Sequence, residues 1–314
     1  MKKLPKLALG AWSWGSGIAG GDLVFGNHLD ENDLKPVFDA ALQTGLNLWD
    51  TATVYGMGAS EDILGKLIKN VKREDVIIST KFTPQIAEMY DNSVEKMADA
   101  SIKRLNIDAI DIYWIHNPAD VERWTPELAP LLKSGKIKSV GVSNHNLAEV
   151  KRANEILSKF GYKIEAVQNH FSLLNRSSET SGILDYCKDN GITFFAYMVL
   201  EQGALSGKYD AAHPFPEGSD RAKSYNPILP QLEKLTAAMK EIGEARGLSV
   251  AQVGTAWAVA KGTLPIIGVT KTRHVEDAAK AASVALSADE IERLEKLADQ
   301  ANISTIREWE KKME

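Results

Sequence analysis

The sequence predicts an α/β fold: a single (β/α)8 TIM barrel over residues 1–314, with a long loop after the seventh strand and the active site at the C-terminal face. Three observations predict it. Eight short apolar runs recur along the 314-residue chain, stretches with apolar residues at helical spacing lie between most of them, and several end in a polar residue of catalytic type. Alternating strands and helices argue for parallel βαβ units. Strands enriched in Ile and Val, apolar on both faces, fit a sheet covered by helices rather than a half-solvated one. Eight such units close into a barrel, where strand C-termini carry the chemistry.

The elements follow in order. Leu7–Trp12 is the first strand, and after it comes an irregular Gly-rich segment, 13–29, carrying Trp14 and Phe25. A helix over Asn32–Thr44 leads to the second strand, Leu46–Asp50, and a helix over Ser60–Lys69 to the third, Val76–Lys81. A helix over Ser93–Arg104 precedes the fourth strand, Asp111–His116, and the fifth, Ile137–Asn144, precedes a helix over Ala148–Phe160. Glu165–Asn169, Thr193–Leu200 and Thr263–Gly268 complete the eight. Between Leu200 and a helix beginning near Asn226 lies a Gly/Pro/His-rich stretch, Glu201–Tyr225. Loops of that length inside a compact domain are usually functional or disordered. With 13–29 it is a candidate wall of a pocket.

A 44% hydrophobic fraction, 25% charged residues and no apolar stretch long enough to span a bilayer place the chain among soluble globular enzymes. The start, Met-Lys-Lys-Leu-Pro-Lys, has the charge of a signal peptide, but Pro5 and Lys6 interrupt it and no apolar core follows, so the chain reads as cytoplasmic. A net charge of −5 argues against a nucleic-acid partner. The single Cys187 reads as a small core residue on a helix face, and the Lys/Glu-rich tail Glu308–Glu314 as a solvated helix end. Nothing in one sequence sets an oligomeric state, and no metal site is expected.

Four residues form the candidate catalytic group. Asp50 ends the second strand, Tyr55 follows it, Lys81 ends the third and His116 ends the fourth, so adjacent strand ends bring them together. A tyrosine with an ordinary pKa of about 10 is a poor acid at neutral pH, but a neighbouring ammonium stabilises its phenolate and lowers that pKa. Lys81 supplies the charge, Asp50 holds and orients Lys81, and His116 shares the substrate oxygen. Singly, each has a structural explanation as a cap, a snorkelling chain or a loop aromatic. Jointly they are far more specific, because Lys and Asp are rarely left at the ends of doubly buried strands unless paired.

Trp-Asp-Thr-Ala-Thr-Val-Tyr-Gly (49–56), Ser-Thr-Lys (79–81), Asp-Ile-Tyr-Trp-Ile-His (111–116) and Gly-Val-Ser-Asn (141–144) resemble the aldo-keto reductase family, and further motifs recur in order through Gln168, Tyr197, 205–209 and Pro265-Ile-Ile-Gly268. The resemblance implies a (β/α)8 NADP(H)-dependent reductase without a Rossmann domain, with Asp50, Tyr55, Lys81 and His116 as its tetrad. It implies that Ser143, Asn144 and Gln168 hold the nicotinamide carboxamide and that Tyr197 stacks on the ring. It also implies that Leu200, Gln202, Gly203 and Lys208 line the pyrophosphate path, with Arg221 closing over the phosphates. Gly10, Ala11 and Trp12 join the cofactor set from the first strand's end.

After the eighth strand, Gly268 opens a segment whose helix start, with Lys271 and Arg273 nearby, suits an anionic phosphate. The resemblance implies that Thr270 and Lys271, with Arg273 and His274, contact the 2′-phosphate and that acidic Asp277 lies on the adenine side. Two departures stand out. Ala278 replaces the family's frequent Asn, and Met198-Val199-Leu200-Glu201 replaces the common Ser-Pro-Leu, leaving a carboxylate where none is expected near a pyrophosphate. Trp12, Trp14, Phe25, Val54, Phe82, Trp114 and Asn117 are the candidate substrate walls, an aromatic lining suited to an aldehyde or ketone with an apolar or ring portion, sugars included. Two other classes compete. One is a lyase forming a Schiff base on Lys81. The other is a cofactor-binding redox sensor with little turnover.

Overall fold

A computed structural model describes residues 3–307, 310 and 313. Eight parallel strands close a barrel in sequence order: β1 (Ala8–Gly10), β2 (Leu48–Asp50), β3 (Ile77–Phe82), β4 (Ile110–Ile115), β5 (Ile137–Ser143), β6 (Ala166–His170), β7 (Thr193–Tyr197) and β8 (Leu264–Gly268). The predicted (β/α)8 TIM barrel is the observed fold. Strand ends shift by a few residues where the backbone leaves the sheet. β5 stops at Ser143 because Asn144 turns to φ 60°, and β7 stops at Tyr197 because Met198 does the same.

Side chains alternate across each strand, and the alternation builds two cores. Ala8, Leu48, Ile77, Ile112, Trp114, Ala166, Phe195 and Leu264 pack together inside the barrel. Their neighbours in sequence, among them Leu9, Trp49, Ile78, Tyr113 and Val167, belong to the larger core shared with the surrounding helices. Two residues further along several of the same strands stand Gly10, Asp50, Ser79, Gln168 and Tyr197, so the pattern that fills the barrel's floor also delivers polar groups to its mouth. Trp114 spans the interior, edge-on to Phe195 at 5.1 Å. Its partner across the β4–β5 register is Gly141, where a Cβ would stand 2.3 Å from the Trp114 ring.

The predicted helices begin and end on local signals. Asp30 caps Glu31–Thr44 with a reciprocal capping box, and Ser93 caps Val94–Leu105. Asn146 and Glu149 form the box that starts Leu147–Ser158. The stretch after β7 is better ordered than a free loop. It contains a short helix, Asp220–Tyr225, before the long helix Leu229–Arg246, and it buries Phe215 and Tyr225. The Tyr209 ring stacks on Phe215 at 3.8 Å. The segment 13–29 likewise holds a short helix, Gly21–Phe25, seated so close to Ser13 that a Cβ on Gly21 would meet the Ser13 carbonyl at 2.1 Å.

Cys187 is buried, and burial pushes its thiol up to about 12, as fits a core residue rather than a nucleophile. The expectation of a solvated helix end over Glu308–Glu314 falls outside the described residues except at Glu310 and Met313. Those two contradict it: the Glu310 side chain is 2% exposed on His170, and Met313 is buried with its sulfur 3.5 Å from Asn169 Nδ2. Among the described residues no helix is long and apolar enough to cross a membrane.

Candidate active site

The inward pattern of β2, β3 and β4 gathers the four predicted catalytic residues at the barrel mouth. Lys81 is fully buried and donates to Asp50 Oδ2 at 2.6 Å and to the Thr51 carbonyl at 2.7 Å. An ammonium has three N–H donors, which leaves one for Tyr55, whose ring centre is 5.1 Å from Nζ. Asp50 Oδ1 accepts from Ser79 Oγ at 2.8 Å and from Gln168 Nε2 at 3.2 Å. Ser79 in turn accepts from the Trp114 indole at 2.5 Å. The carboxylate is therefore held on both oxygens, and Lys81 is held by the carboxylate.

The electrostatics follow from burial and this pair. Burial pushes the Lys81 ammonium down, but the Asp50 charge and hydrogen bond more than offset it, so the side chain stays protonated. Tyr55 is half-buried, and its surroundings push the phenol above its usual value. Lys81 pulls it back and Asp50 pushes it further up. The sequence-based expectation of a lowered phenol is thus corrected: desolvation outweighs the nearby cation. His116 is held well below the ordinary histidine value by burial and by Lys81, which keeps its ring neutral at physiological pH. Thr83 Oγ1 lies 3.0 Å from His116 Nδ1, and the ring stands edge-on to Tyr55 at 5.9 Å.

The predicted cofactor residues line the same mouth. Ser143 pairs in register with Gln168, and Asn144, in the left-handed backbone region that Asn tolerates, follows immediately. Asn144 Nδ2 donates to the His116 carbonyl at 3.0 Å and to Asn117 Oδ1 at 3.2 Å, which orients its Oδ1 toward the Tyr197 hydroxyl at 2.6 Å. Gly10 pairs with both Asp50 and Gly268, and Ala11 beside it is fully buried.

Further out, Leu200, Gln202 and Gly203 form the turn beyond β7, where Glu201 (φ 47°) and Gln202 (φ 51°) are both left-handed. Lys208 is exposed, its ammonium 4.9 Å from the Tyr209 ring. The Arg221 guanidinium lies between Phe25 at 6.0 Å and Phe215 at 5.5 Å. Thr270, Lys271 and His274 sit at the start of the helix Thr272–Ala282, which no side chain caps. The Thr270 amide donates to His274 Nδ1 at 3.2 Å, and Asp277 accepts from Gln252 at 2.8 Å.

The predicted substrate walls divide. Trp12 stacks on Tyr55 at 5.7 Å and meets the edge of Phe25 at 5.2 Å, making an aromatic wall beside the phenol. Val54 and Asn117 are half-buried nearby in sequence to Tyr55 and His116. Trp14, Phe82 and Trp114 do not belong with them. Trp14 is fully buried against Trp49, with its indole on the Val269 carbonyl at 2.7 Å, and Phe82 is fully buried against Trp124. Phe82 points into the sheet–helix layer because it is out of phase with Ser79 and Lys81 on β3, and Trp14, beyond the end of β1, packs into the same layer. Trp114 faces inward, but it is fully buried on the barrel floor and carries Ser79.

Sequence reasoning missed His170, the inward residue two beyond Gln168; the period-two pattern was the signal available. His170 joins Glu201 Oε1 through Nε2 at 2.8 Å and Glu310 Oε2 through Nδ1 at 2.9 Å. Glu201 also accepts from Tyr225 at 2.9 Å, Thr305 at 3.0 Å and Ser172. The unexpected carboxylate after β7 therefore faces this buried histidine. Burial pushes His170 down, but the two carboxylates raise it to about 9. A surface hollow of about 980 Å³ lined by Arg176, Glu179, Glu295 and Asp299 contains none of these residues.

The profile of the aldo/keto reductase family matches residues 6–299. This chain belongs to that family. A relative from Arabidopsis thaliana named chloroplastic pyridoxal reductase is 33% identical over 96% of this chain and 85% of its own. An aldo-keto reductase from Schizosaccharomyces pombe is 29% identical over 92% of this chain and 89% of its own. Among solved structures, a thermostable aldo-keto reductase superposes with a TM-score of 0.75 at 27% identity, covering 94% of this chain and 95% of that one. Glycerol dehydrogenase from Gluconobacter oxydans shares the fold, with a TM-score of 0.80 at 24% identity over 98% and 96% of the two chains. The aldo-keto reductase match runs through every strand that contributes to the mouth.

Proposed function

We propose that this aldo-keto reductase reduces an aldehyde or ketone to its alcohol with NADPH, Tyr55 giving the proton. The observation that carries the reading is the convergence of Asp50, Tyr55, Lys81 and His116 on one barrel mouth, with the ammonium held charged beside the phenol. The residues present fit the cofactor. Side-chain amides of Asn144 and Gln168 offer the donors and acceptors that a carboxamide needs, and the uncapped start of Thr272–Ala282, flanked by Lys271 and Arg273, suits a phosphate. The S. pombe relative is named for NADP(+), which agrees with that choice.

When bound, the nicotinamide supplies the hydride that adds to the carbonyl carbon. Tyr55 donates its proton to the carbonyl oxygen, so the group gains one hydride and one proton and becomes an alcohol. The phenol's raised pKa keeps it protonated until that moment, and Lys81 stabilises the phenolate left behind. Neutral His116, with Thr83 at Nδ1, keeps Nε2 for the substrate oxygen. Trp12 and Phe25 give a flat substrate an aromatic surface. A Schiff base on Lys81 needs a free amine, whereas this one is buried and protonated on Asp50.

Titrating NADPH and NADH fluorescence beside an absorbance assay over aldehydes, ketones, sugars and pyridoxal tests the reading. Tight NADPH binding with turnover is expected. Tight binding with no turnover across the panel favours a sensor, and binding of neither nucleotide overturns the cofactor assignment.

A further inference from the structure

The buried cluster of His170, Glu201 and Glu310 lies outside the catalytic group, yet it touches Tyr197 and, through it, Asn144. The Tyr197 ring stacks on His170 at 5.6 Å, and the two residues are partners in the β6–β7 register. The Tyr197 hydroxyl lies 2.6 Å from Asn144 Oδ1 and 2.8 Å from Glu310 Oε1. Glu310 is itself fixed, its Oε2 accepting from the Arg307 amide at 3.1 Å and from His170 at 2.9 Å. Asn144 cannot turn its amide to relieve the arrangement without losing the Nδ2 bonds to the His116 carbonyl and to Asn117.

A phenol carries one proton. Two acceptors therefore compete for it. Glu310 Oε1 also lies 3.0 Å from His170 Nδ1, whereas Asn144 Oδ1, if it loses the proton, is left a buried oxygen in want of a donor, a state that costs more than an ordinary hydrogen bond returns. On the reading above, one acceptor has another donor in prospect. Asn144 Oδ1 is where the carboxamide N–H of the nicotinamide binds, and it can receive that N–H only if the Tyr197 proton goes elsewhere.

We propose that Glu310 is a positioning residue for the cofactor: it takes the Tyr197 proton, so that Asn144 is released to the nicotinamide carboxamide and Tyr197 stays oriented as the surface on which the ring stacks. His170 serves the same end, clamping Glu310 from behind while Glu201 holds the other side of its ring. The inference rests on the cofactor reading and adds to it a residue 113 positions beyond Tyr197. Without the acceptor, the phenol stays on Asn144 and opposes the carboxamide.

The test is a double-mutant cycle read by NADPH fluorescence titration on the full chain, with the thermal midpoint of each cofactor-free variant recorded alongside. Glu310→Ala raises the NADPH Kd by about five- to ten-fold, the value of one hydrogen bond. Glu310→Gln, which keeps an acceptor, brings the Kd back to within about three-fold of the parent. In a Tyr197→Phe background no hydroxyl competes, and adding Glu310→Ala changes the Kd by less than about two-fold.

Three results overturn the proposal. One is a Glu310→Ala Kd equal to or tighter than the parent's, as a segment that merely obstructs the mouth would give. Another is a penalty that persists undiminished in the Tyr197→Phe background. The third is a Glu310→Gln variant as weak as Glu310→Ala, which also decides the matter if the alanine variant does not fold. Failure of the parent to bind NADPH is a different outcome: it removes the cofactor reading itself.

Discussion

In the proposed mechanism, Lys81 holds one charge in a place that water does not reach. On that proposal its ammonium, fully buried and 2.6 Å from Asp50, lowers the energy of a Tyr55 phenolate, while the surrounding protein holds the phenol's pKa above its usual value. Replacing Lys81 with Met removes the charge and leaves Asp50 buried without its cation, so the variant loses about 3–5 kcal/mol of stability. Removing the one group that pulls the Tyr55 pKa down moves the alkaline limb of kcat to higher pH as the rate falls. A pH–rate profile with a thermal melt checks both. Parental activity with an unmoved alkaline limb contradicts the role given to Lys81.

At the scale of strands, the site is a product of the two-residue repeat. Ser79 and Lys81 face the same side of β3, as do Gln168 and His170 on β6. Except at Tyr55, which lies in the turn after β2, that repeat made the candidate catalytic residues and the eight strands legible from sequence. It also exposes the errors: Phe82, one residue beyond Lys81, must point the other way, into the helix layer, and Trp14 lies beyond the strand, where no periodicity applies. The partner of Glu201 was not legible, since His170 lies 31 positions away on the neighbouring strand and only the folded chain joins them. Gly141 tests the register directly. Gly141→Ala forces a methyl into the Trp114 ring and costs about 1–3 kcal/mol in denaturant unfolding; a neutral result contradicts the β4–β5 pairing of these two residues.

Across the whole molecule, buried charge is not confined to the mouth. Near the start of β4, Asp111 accepts from the Ile78 amide at 2.8 Å, from Arg73 at 2.6 Å and from Lys138 at 2.8 Å. Burial pushes its carboxyl up, but Lys138, the Ile78 amide and Arg73 more than compensate and hold it below the usual carboxylate range. A depressed carboxyl stabilises the fold above its unfolded pKa of about 4, and the contribution is lost as pH falls through the folded value. Asp111→Asn therefore costs roughly 1–3 kcal/mol at neutral pH, and the gap to the parent closes below about pH 4. Unfolding curves over that range check it. Because this carboxylate lies away from the mouth, its loss changes stability and leaves the chemistry at Tyr55 alone.

The central claim is that the mouth transfers a proton from Tyr55 as hydride reaches the carbonyl. The most direct measurement is the single-turnover rate of NADPH oxidation by the parent and by Tyr55→Phe, both saturated with cofactor and mixed with an aldehyde that the parent reduces. The account predicts a rate lower by about a hundred- to ten-thousand-fold in the Phe variant, with NADPH affinity unchanged. A Phe variant that reduces the aldehyde at the parental rate contradicts it.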